Sequence, residues 1–188
     1  MRETRRPELS ALAAGESPVA TLDRFVATTG RMFVLARDRL AKGRSFNVCL
    51  PYGPMDWTVL LLHAFWDSWI HERDVLLARG AEHPTSGDAT AYATSYGLFL
   101  AAAVASAHGD QVRQKLALGG HGGGVFELDC CGGVTLTVTG AASAGPPAAE
   151  VTDALAGRAP TAAVLGNLPP STRAALSRVA DFFNTPAE

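Results

Sequence analysis

Apolar residues recur at helical spacing through the N-terminal half of the chain. This periodicity predicts three helices, over about 18–41, 56–79 and 86–108. Capping signals agree with these bounds: Ser17 precedes a proline at the first helical position, Asp56 can cap the second helix, and glycines follow the helix ends. Residues 44–55, which include the stop Pro51-Tyr-Gly-Pro54, are predicted to be a connector.

The pattern changes at the glycine run 119–124, which is predicted to be a flexible junction. Beyond it, residues 125–130 and 134–139 alternate between apolar and polar positions around a Cys-Gly-Gly turn, which predicts a β-hairpin. Two strands alone are not stable in water, so something must cover their apolar face. Helices predicted over about 148–156 and 170–183 are the candidates for that cover.

These elements predict an α+β fold in two domains, a helical domain over 1–112 and a small α/β domain over 120–188. With 47% apolar residues, the composition is that of a globular protein. The three cysteines, Cys49, Cys130 and Cys131, are expected to be reduced, and the adjacent pair should point to opposite faces of a strand.

Charge and hydropathy exclude two classes of partner. The net charge is −2 and no long run carries one sign, which argues against nucleic-acid binding. No apolar run reaches the roughly 20 residues needed to span a bilayer, and the charged start is not followed by the apolar region of a signal peptide. We therefore expect a cytoplasmic protein that binds neither nucleic acid nor membrane.

The candidate chemistry is concentrated in the second predicted helix, where His63, Asp67 and His71 are spaced four residues apart. This spacing places them on one stripe of the helix. Trp66 and Ile70 flank the stripe, so it is expected to point towards a helix interface and to be shielded from water. His63 and His71 are about 12 Å apart along the axis, too far to share one ion. The stripe offers either one i, i+4 pair to a metal, with a third ligand from another helix, or a core histidine hydrogen-bonded to aspartate.

Other polar residues carry weaker signals. His121 lies in the glycine run and is expected to belong to a linker, while His108 lies at the end of the third helix. Glu72, Arg73 and Asp74 are expected to form a solvated face with ion pairs that contribute little stability.

A longer motif surrounds the stripe. The run Phe65-Trp-Asp-Ser-Trp-Ile-His-Glu-Arg-Asp-Val75, followed by Gly80, resembles the mycothiol-dependent maleylpyruvate isomerase family. Pro51-Tyr-Gly-Pro54, Ala156-Gly-Arg158 and Leu168-Pro-Pro170 resemble it less specifically. The resemblance extends over most of the chain and implies a DinB-like helical metal-binding domain followed by a small α/β domain.

The resemblance also implies a site. Members of the family hold a divalent metal, usually zinc, with a histidine of an early helix and an acid-x-x-x-His pair of a later one. That pair corresponds to Asp67 and His71, with aspartate where the isomerase commonly has glutamate. Mycothiol would be the thiol cosubstrate, and an unsaturated acid or a similar electrophile would be the second substrate. Arg158 would hold a substrate carboxylate, with capping of a helix as its alternative role.

The early histidine of the family has no counterpart here, because no histidine precedes His63. The chain thus resembles a member without the first helix of the bundle, either through a truncated start or through loss of one ligand. If the protein is an enzyme, zinc lowers the pKa of a bound thiol, whose thiolate adds to the unsaturated acid, permits rotation and leaves again. If it is not, the chain is an inactive binding or dimerisation module, and a second copy fills the apolar groove left by the missing helix.

Overall fold

The computed structural model of the chain describes residues 15–50, 53–83, 86–140 and 144–184. Its contacts divide the chain into two compact units, Met1–Phe46 and Asn47–Glu188. The described residues form an α+β fold, as predicted. The division between the units falls after Phe46, whereas the sequence predicted a boundary between residues 112 and 120.

Within the residues that the structure describes, the first unit contains one long helix, α1 (Pro18–Ala41). The hydroxyl of Ser17 accepts a hydrogen bond from the Ala20 N–H at 3.2 Å, and this cap together with the proline of the first turn confirms the predicted start. Five of the large apolar side chains of α1 that recur at helical spacing are at least 60% exposed, and Met32 is 36% exposed; the five are Leu22, Phe25, Val26, Phe33 and Leu40.

The second unit begins with a hairpin and continues through helices and a three-stranded sheet. Its helices are α2 (Trp57–Ala78), α3 (Gly87–Ala107), α4 (Ala148–Leu155), α5 (Thr161–Val164) and α6 (Pro170–Asn184). Its strands are β1 (Asn47–Leu50), β2 (Gly53–Asp56), β3 (Arg113–Leu118), β4 (Gly124–Asp129) and β5 (Thr135–Thr139). Strands β1 and β2 pair antiparallel, and β3, β4 and β5 form a second antiparallel sheet in that order.

The two long helices of this unit start where the sequence predicts. A carboxylate oxygen of Asp56 accepts a hydrogen bond from the Thr58 N–H at 2.9 Å, and the Ser86 hydroxyl accepts one from the Ala89 N–H at 3.1 Å. These caps satisfy N–H groups that have no partner inside the helix. The β4–β5 hairpin and the helices α4 and α6 also agree with the predicted elements to within one or two residues.

Helix α3 lies at the centre of the second unit, in contact with α2, α4, α6 and the strands β4 and β5. Its alanine-rich sequence is apolar on nearly every side, and Leu98, Leu100 and Ala101 have no exposed surface. The absence of a side chain at Gly97 brings Trp66 close, since a Cβ there would lie 3.1 Å from the indole Nε1. Helix α3 therefore packs against several elements at once, and the buried residues of these elements form a single hydrophobic core with it.

The prediction that the glycine run is a flexible junction was wrong. Its residues form the turn between β3 and β4, and this turn packs against the first turns of α3. A Cβ on Gly122, whose φ is +73°, would lie 2.5 Å from the backbone nitrogen of Ala91. The predicted hairpin therefore belongs to the same compact unit as α2 and α3.

Two further expectations about the sheets were wrong. The described residues of the predicted connector 44–55 include the paired strands β1 and β2, with Val48 opposite Met55. Helix α3 contacts β4 and β5, while the helices expected to cover the hairpin, α4 and α6, pack against α3 instead. Because α3 is long and apolar on most sides, it can pack against the sheet and against both C-terminal helices. Within the part of the chain that the structure describes, no helix has the length and apolar character needed to cross a membrane.

Candidate metal-binding pair on helix α2

Helix α2 buries one face and exposes another. Trp66, Trp69 and Ile70 are at most 4% exposed and belong to the core shared with α3. Asp67 and His71 lie on a different stripe, and their side chains are 56% and 63% exposed. The prediction that this stripe points into an interface and is shielded from water was therefore wrong. The tryptophans occupy the interface themselves, and helical spacing then turns Asp67 and His71 outward.

The His71 imidazole lies between two carboxylates. Its Nε2 is 3.6 Å from the Asp67 Oδ1, and its Nδ1 is 3.5 Å from the Asp74 Oδ2. The i, i+4 pair expected from the sequence thus forms, and the i+3 position adds a second carboxylate on the opposite ring nitrogen. Because Asp67 and Asp74 lie beside different ring nitrogens, an ion bound to one nitrogen of His71 can be shared with only one of the two carboxylates.

Asp74 is held in turn by Arg158. The Nη2 of the arginine donates to the Asp74 Oδ2 at 2.9 Å, and its Nη1 donates to the Ala156 carbonyl at 2.6 Å. The Arg158 guanidinium, with a smaller contribution from His71, keeps the pKa of Asp74 below its usual range. Arg158 therefore carries out the capping role near the end of α4 and also binds a carboxylate, which in this structure is that of Asp74.

His63 lies apart from this cluster. Its Nδ1 is 3.0 Å from the hydroxyl of Tyr96 on α3, and the two rings meet edge to face. Burial lowers the pKa of His63, and the negative charge of Asp67 only partly opposes that shift. The alternative of a core histidine bonded to aspartate is met only in part by His63, which is half-buried and has tyrosine as its partner. It does not describe His71.

The remaining histidines do not join the pair. The Nδ1 of His108 is 2.9 Å from the Val104 carbonyl at the end of α3, and His121 is exposed in the β3–β4 turn. His83, which no sequence pattern marks, has a side chain that is only 3% exposed: its Nε2 lies 3.3 Å from the Glu72 Oε2 and its ring meets that of Trp69 edge to face. Burial of this kind depends on the fold around a residue and leaves no local signal in the sequence.

Arg73 also departs from the expected solvated face. Its guanidinium makes three hydrogen bonds to the Asp153 carboxylate, the shortest 2.7 Å, and lies over the Trp69 ring. Both charged side chains are less than one-fifth exposed, so this pair joins α2 to α4 more firmly than an exposed ion pair would.

The cysteines offer no nucleophile to the cluster. Cys130 is buried, and its burial raises the pKa of its thiol. Cys131 is exposed, and both cysteines lie beyond the end of β4, whereas the sequence had predicted them to lie within a strand.

The donor pair fits zinc in kind, because imidazole and carboxylate are both zinc ligands. Within the described ranges, however, no group of three His, Cys, Asp or Glu side chains lies close enough together to hold an ion. Asp67 and His71 therefore provide two ligands of an incomplete set. Comparisons of the chain with family profiles, with curated proteins and with solved structures gave no match.

Proposed function

We propose that the chain binds a divalent metal ion, zinc by preference, through Asp67 and His71, and that the bound metal serves to activate a small thiol. The observation that supports this most is the placement of His71 between two carboxylates, one beside each ring nitrogen. A histidine that binds a metal with one nitrogen commonly donates its other N–H to a carboxylate, which fixes the ring.

Each member of the cluster then has a distinct role. Asp67 lies beside Nε2 and shares the ion with His71, whereas Asp74 lies beside Nδ1 and orients the ring. Arg158 fixes Asp74 through its hydrogen bond. Because Asp67 and His71 are more than half exposed, an ion can reach them without first displacing packed side chains.

Two protein ligands leave coordination positions open, as in catalytic zinc sites, which keep at least one position for water or substrate. When bound, zinc would lower the pKa of a thiol that occupies such a position. The resemblance to the mycothiol-dependent isomerases makes mycothiol the proposed thiol and an incomplete DinB-like bundle the proposed setting. Contact between the long helices α2 and α3 supports that setting.

The proposed reaction needs no nucleophile from the protein. The thiolate adds to the double bond of an unsaturated acid, rotation takes place about the resulting single bond, and elimination returns the thiolate and the isomerised acid. Arg158 would hold the carboxylate of the acid. Since this arginine binds Asp74 before substrate arrives, the substrate would take the place of that side chain, and Asp74 would then be kept beside the ring by His71 alone.

A calorimetric titration of zinc into the full chain tests the proposal. At pH 7 we expect one ion per chain, bound more weakly than at a closed four-ligand site. At pH 5.5 binding should weaken, because protons compete with the metal for the imidazole nitrogen. Calcium, which prefers sites built from six or more oxygens, is the control and should not bind. Absence of zinc binding at pH 7, or equal binding of calcium, would contradict the proposal.

The second candidate function is a dimerisation or binding module, and the exposed apolar stripe of α1 favours it. A single helix is marginal in water, so packing of its apolar face has to provide most of its stability. We expect the protein to self-associate at tens of micromolar in light scattering, and Phe25→Glu combined with Phe33→Glu to abolish the association. Val34→Glu is the control, because Val34 is 69% exposed but lies outside the stripe. A monomeric wild-type protein would exclude this function.

A further inference from the structure

A cavity of about 550 Å³ opens on the second unit, in a region that the proposed metal site does not use. It lies between the N-terminal half of α2, the middle of α3 and the start of β5. Its main walls come from Leu62, Tyr92, Ser95, Tyr96, Phe99 and Leu136. This volume falls within the range of about 300–1,000 Å³ that is typical of small-molecule sites.

The walls are aromatic and uncharged. Tyr92, Tyr96 and Phe99 follow one another at spacings of four and three residues, so successive turns of α3 present three rings to one side. No charged side chain is among the described residues that line the cavity. Such walls favour a flat apolar molecule, because rings stack or meet edge to face, and they offer nothing that compensates the desolvation of a charge.

The polar side chains among the described residues that line the cavity all carry hydroxyls: Tyr92, Ser95, Tyr96 and Thr135. Within the described residues the Ser95 hydroxyl has no hydrogen-bond partner, so it can serve a ligand. Tyr96 is 3% exposed, and its hydroxyl lies 3.0 Å from the Nδ1 of His63, a residue that does not line the cavity. Burial lowers the pKa of His63, which disfavours a positive charge on this histidine.

We propose that this cavity binds an uncharged aromatic small molecule with one ring or two fused rings. The rings would lie against Tyr92 and Phe99, and a polar group of the ligand would form a hydrogen bond with the Ser95 hydroxyl. The Asp67–His71 pair lies on another stripe of α2, and this inference does not depend on metal binding. It assigns the chain a second ligand class, distinct from thiols and acids.

The first test compares two ligands of the same shape with the full chain at pH 7. 2-Naphthamide is uncharged, whereas 2-naphthoate carries a negative charge. We expect 2-naphthamide to bind with one molecule per chain and a dissociation constant of roughly 10 µM to 1 mM, the range for a ligand of this size. 2-Naphthoate should bind at least about tenfold more weakly, because its carboxylate would be desolvated without a partner. Equal binding of the two, or no binding of the amide, would overturn the proposal.

The second test locates the bound amide with a matched pair of variants. Leu62 and Leu60 lie on the same helix and are 41% and 40% exposed, but only Leu62 lines the cavity. We expect Leu62→Ala to weaken amide binding about three- to tenfold through lost apolar contact, and Leu60→Ala to leave it unchanged. Equal effects of the two substitutions would place the ligand elsewhere and overturn the assignment.

A third variant fills the cavity. Ser95→Leu places a larger apolar side chain in the space proposed for the polar end of the ligand, and we expect it to abolish binding. Circular dichroism checks that each variant is folded. If Ser95→Leu does not fold, the comparison of Leu62→Ala with Leu60→Ala remains the test of the ligand's position. Retained binding in a folded Ser95→Leu variant would contradict the proposal.

Discussion

Replacing Gly122 with alanine should lower the free energy of unfolding by about 3–5 kcal/mol, a large part of the stability of a domain of this size. The new Cβ would lie 2.5 Å from the Ala91 backbone nitrogen and 2.7 Å from the Thr90 carbonyl carbon. These neighbours are backbone atoms of a helix and cannot move aside as a flexible side chain can. The φ of +73° adds the cost of a left-handed conformation for a residue with a Cβ.

Gly132→Ala is the matched control for that substitution. Gly132 also has a positive φ, +88°, but a Cβ there would meet no atom within 4 Å. It should therefore cost only about 1–2 kcal/mol, the conformational part alone. Urea denaturation followed by circular dichroism gives both values. Equal losses for the two variants would show that the β3–β4 turn does not pack against α3.

The contrast between these two glycines shows which features of the fold can be predicted from local sequence. Caps such as Ser17, Asp56 and Ser86 act on N–H groups two or three residues away, so local sequence was enough to place the helix starts. The packing of Gly122 depends on Ala91, 31 positions earlier in the printed sequence. A glycine run in a linker and a glycine run under a helix have the same composition, and only tertiary contact distinguishes them.

Strand β3 was missed for a related reason. Its sequence, Arg113-Gln-Lys-Leu-Ala-Leu118, buries only Leu116 and Leu118 and carries charge on its other face. It is held by its pairing with β4, in which Leu116 lies opposite Phe126. Pairing between strands on either side of a turn is not visible in the periodicity of one short segment.

The contact between Asp67 and His71 was predicted from the sequence, but the direction in which the two side chains point was not. Helical spacing is sufficient to bring Asp67 to His71, and the structure has that contact. The direction in which the pair points depends on which stripe of α2 packs: the pattern was interpreted as burying the stripe of His71, whereas the structure buries the stripe of Trp66. The role of Arg158 depends on Asp74, 84 residues away, and no local pattern reveals such a contact.

Replacing His71 with alanine should abolish zinc binding by the chain. The substitution removes the imidazole and leaves Asp67 as a single exposed carboxylate, which holds zinc too weakly to detect at micromolar protein. Loss of the ring also removes the contact that places Asp74 beside it. Because His71 is 63% exposed, the same substitution should change the stability of the fold by less than about 0.5 kcal/mol.

His63→Ala is the control, since it removes a histidine of the same helix whose Nδ1 is directed to Tyr96. The decisive measurement is the calorimetric titration of zinc at pH 7 into the wild-type chain and these two variants. The account predicts one ion per chain for the wild type, nearly unchanged binding for His63→Ala and none for His71→Ala. An equal loss of zinc binding in His63→Ala and His71→Ala, or a wild-type chain that binds no zinc, would contradict the proposed metal site.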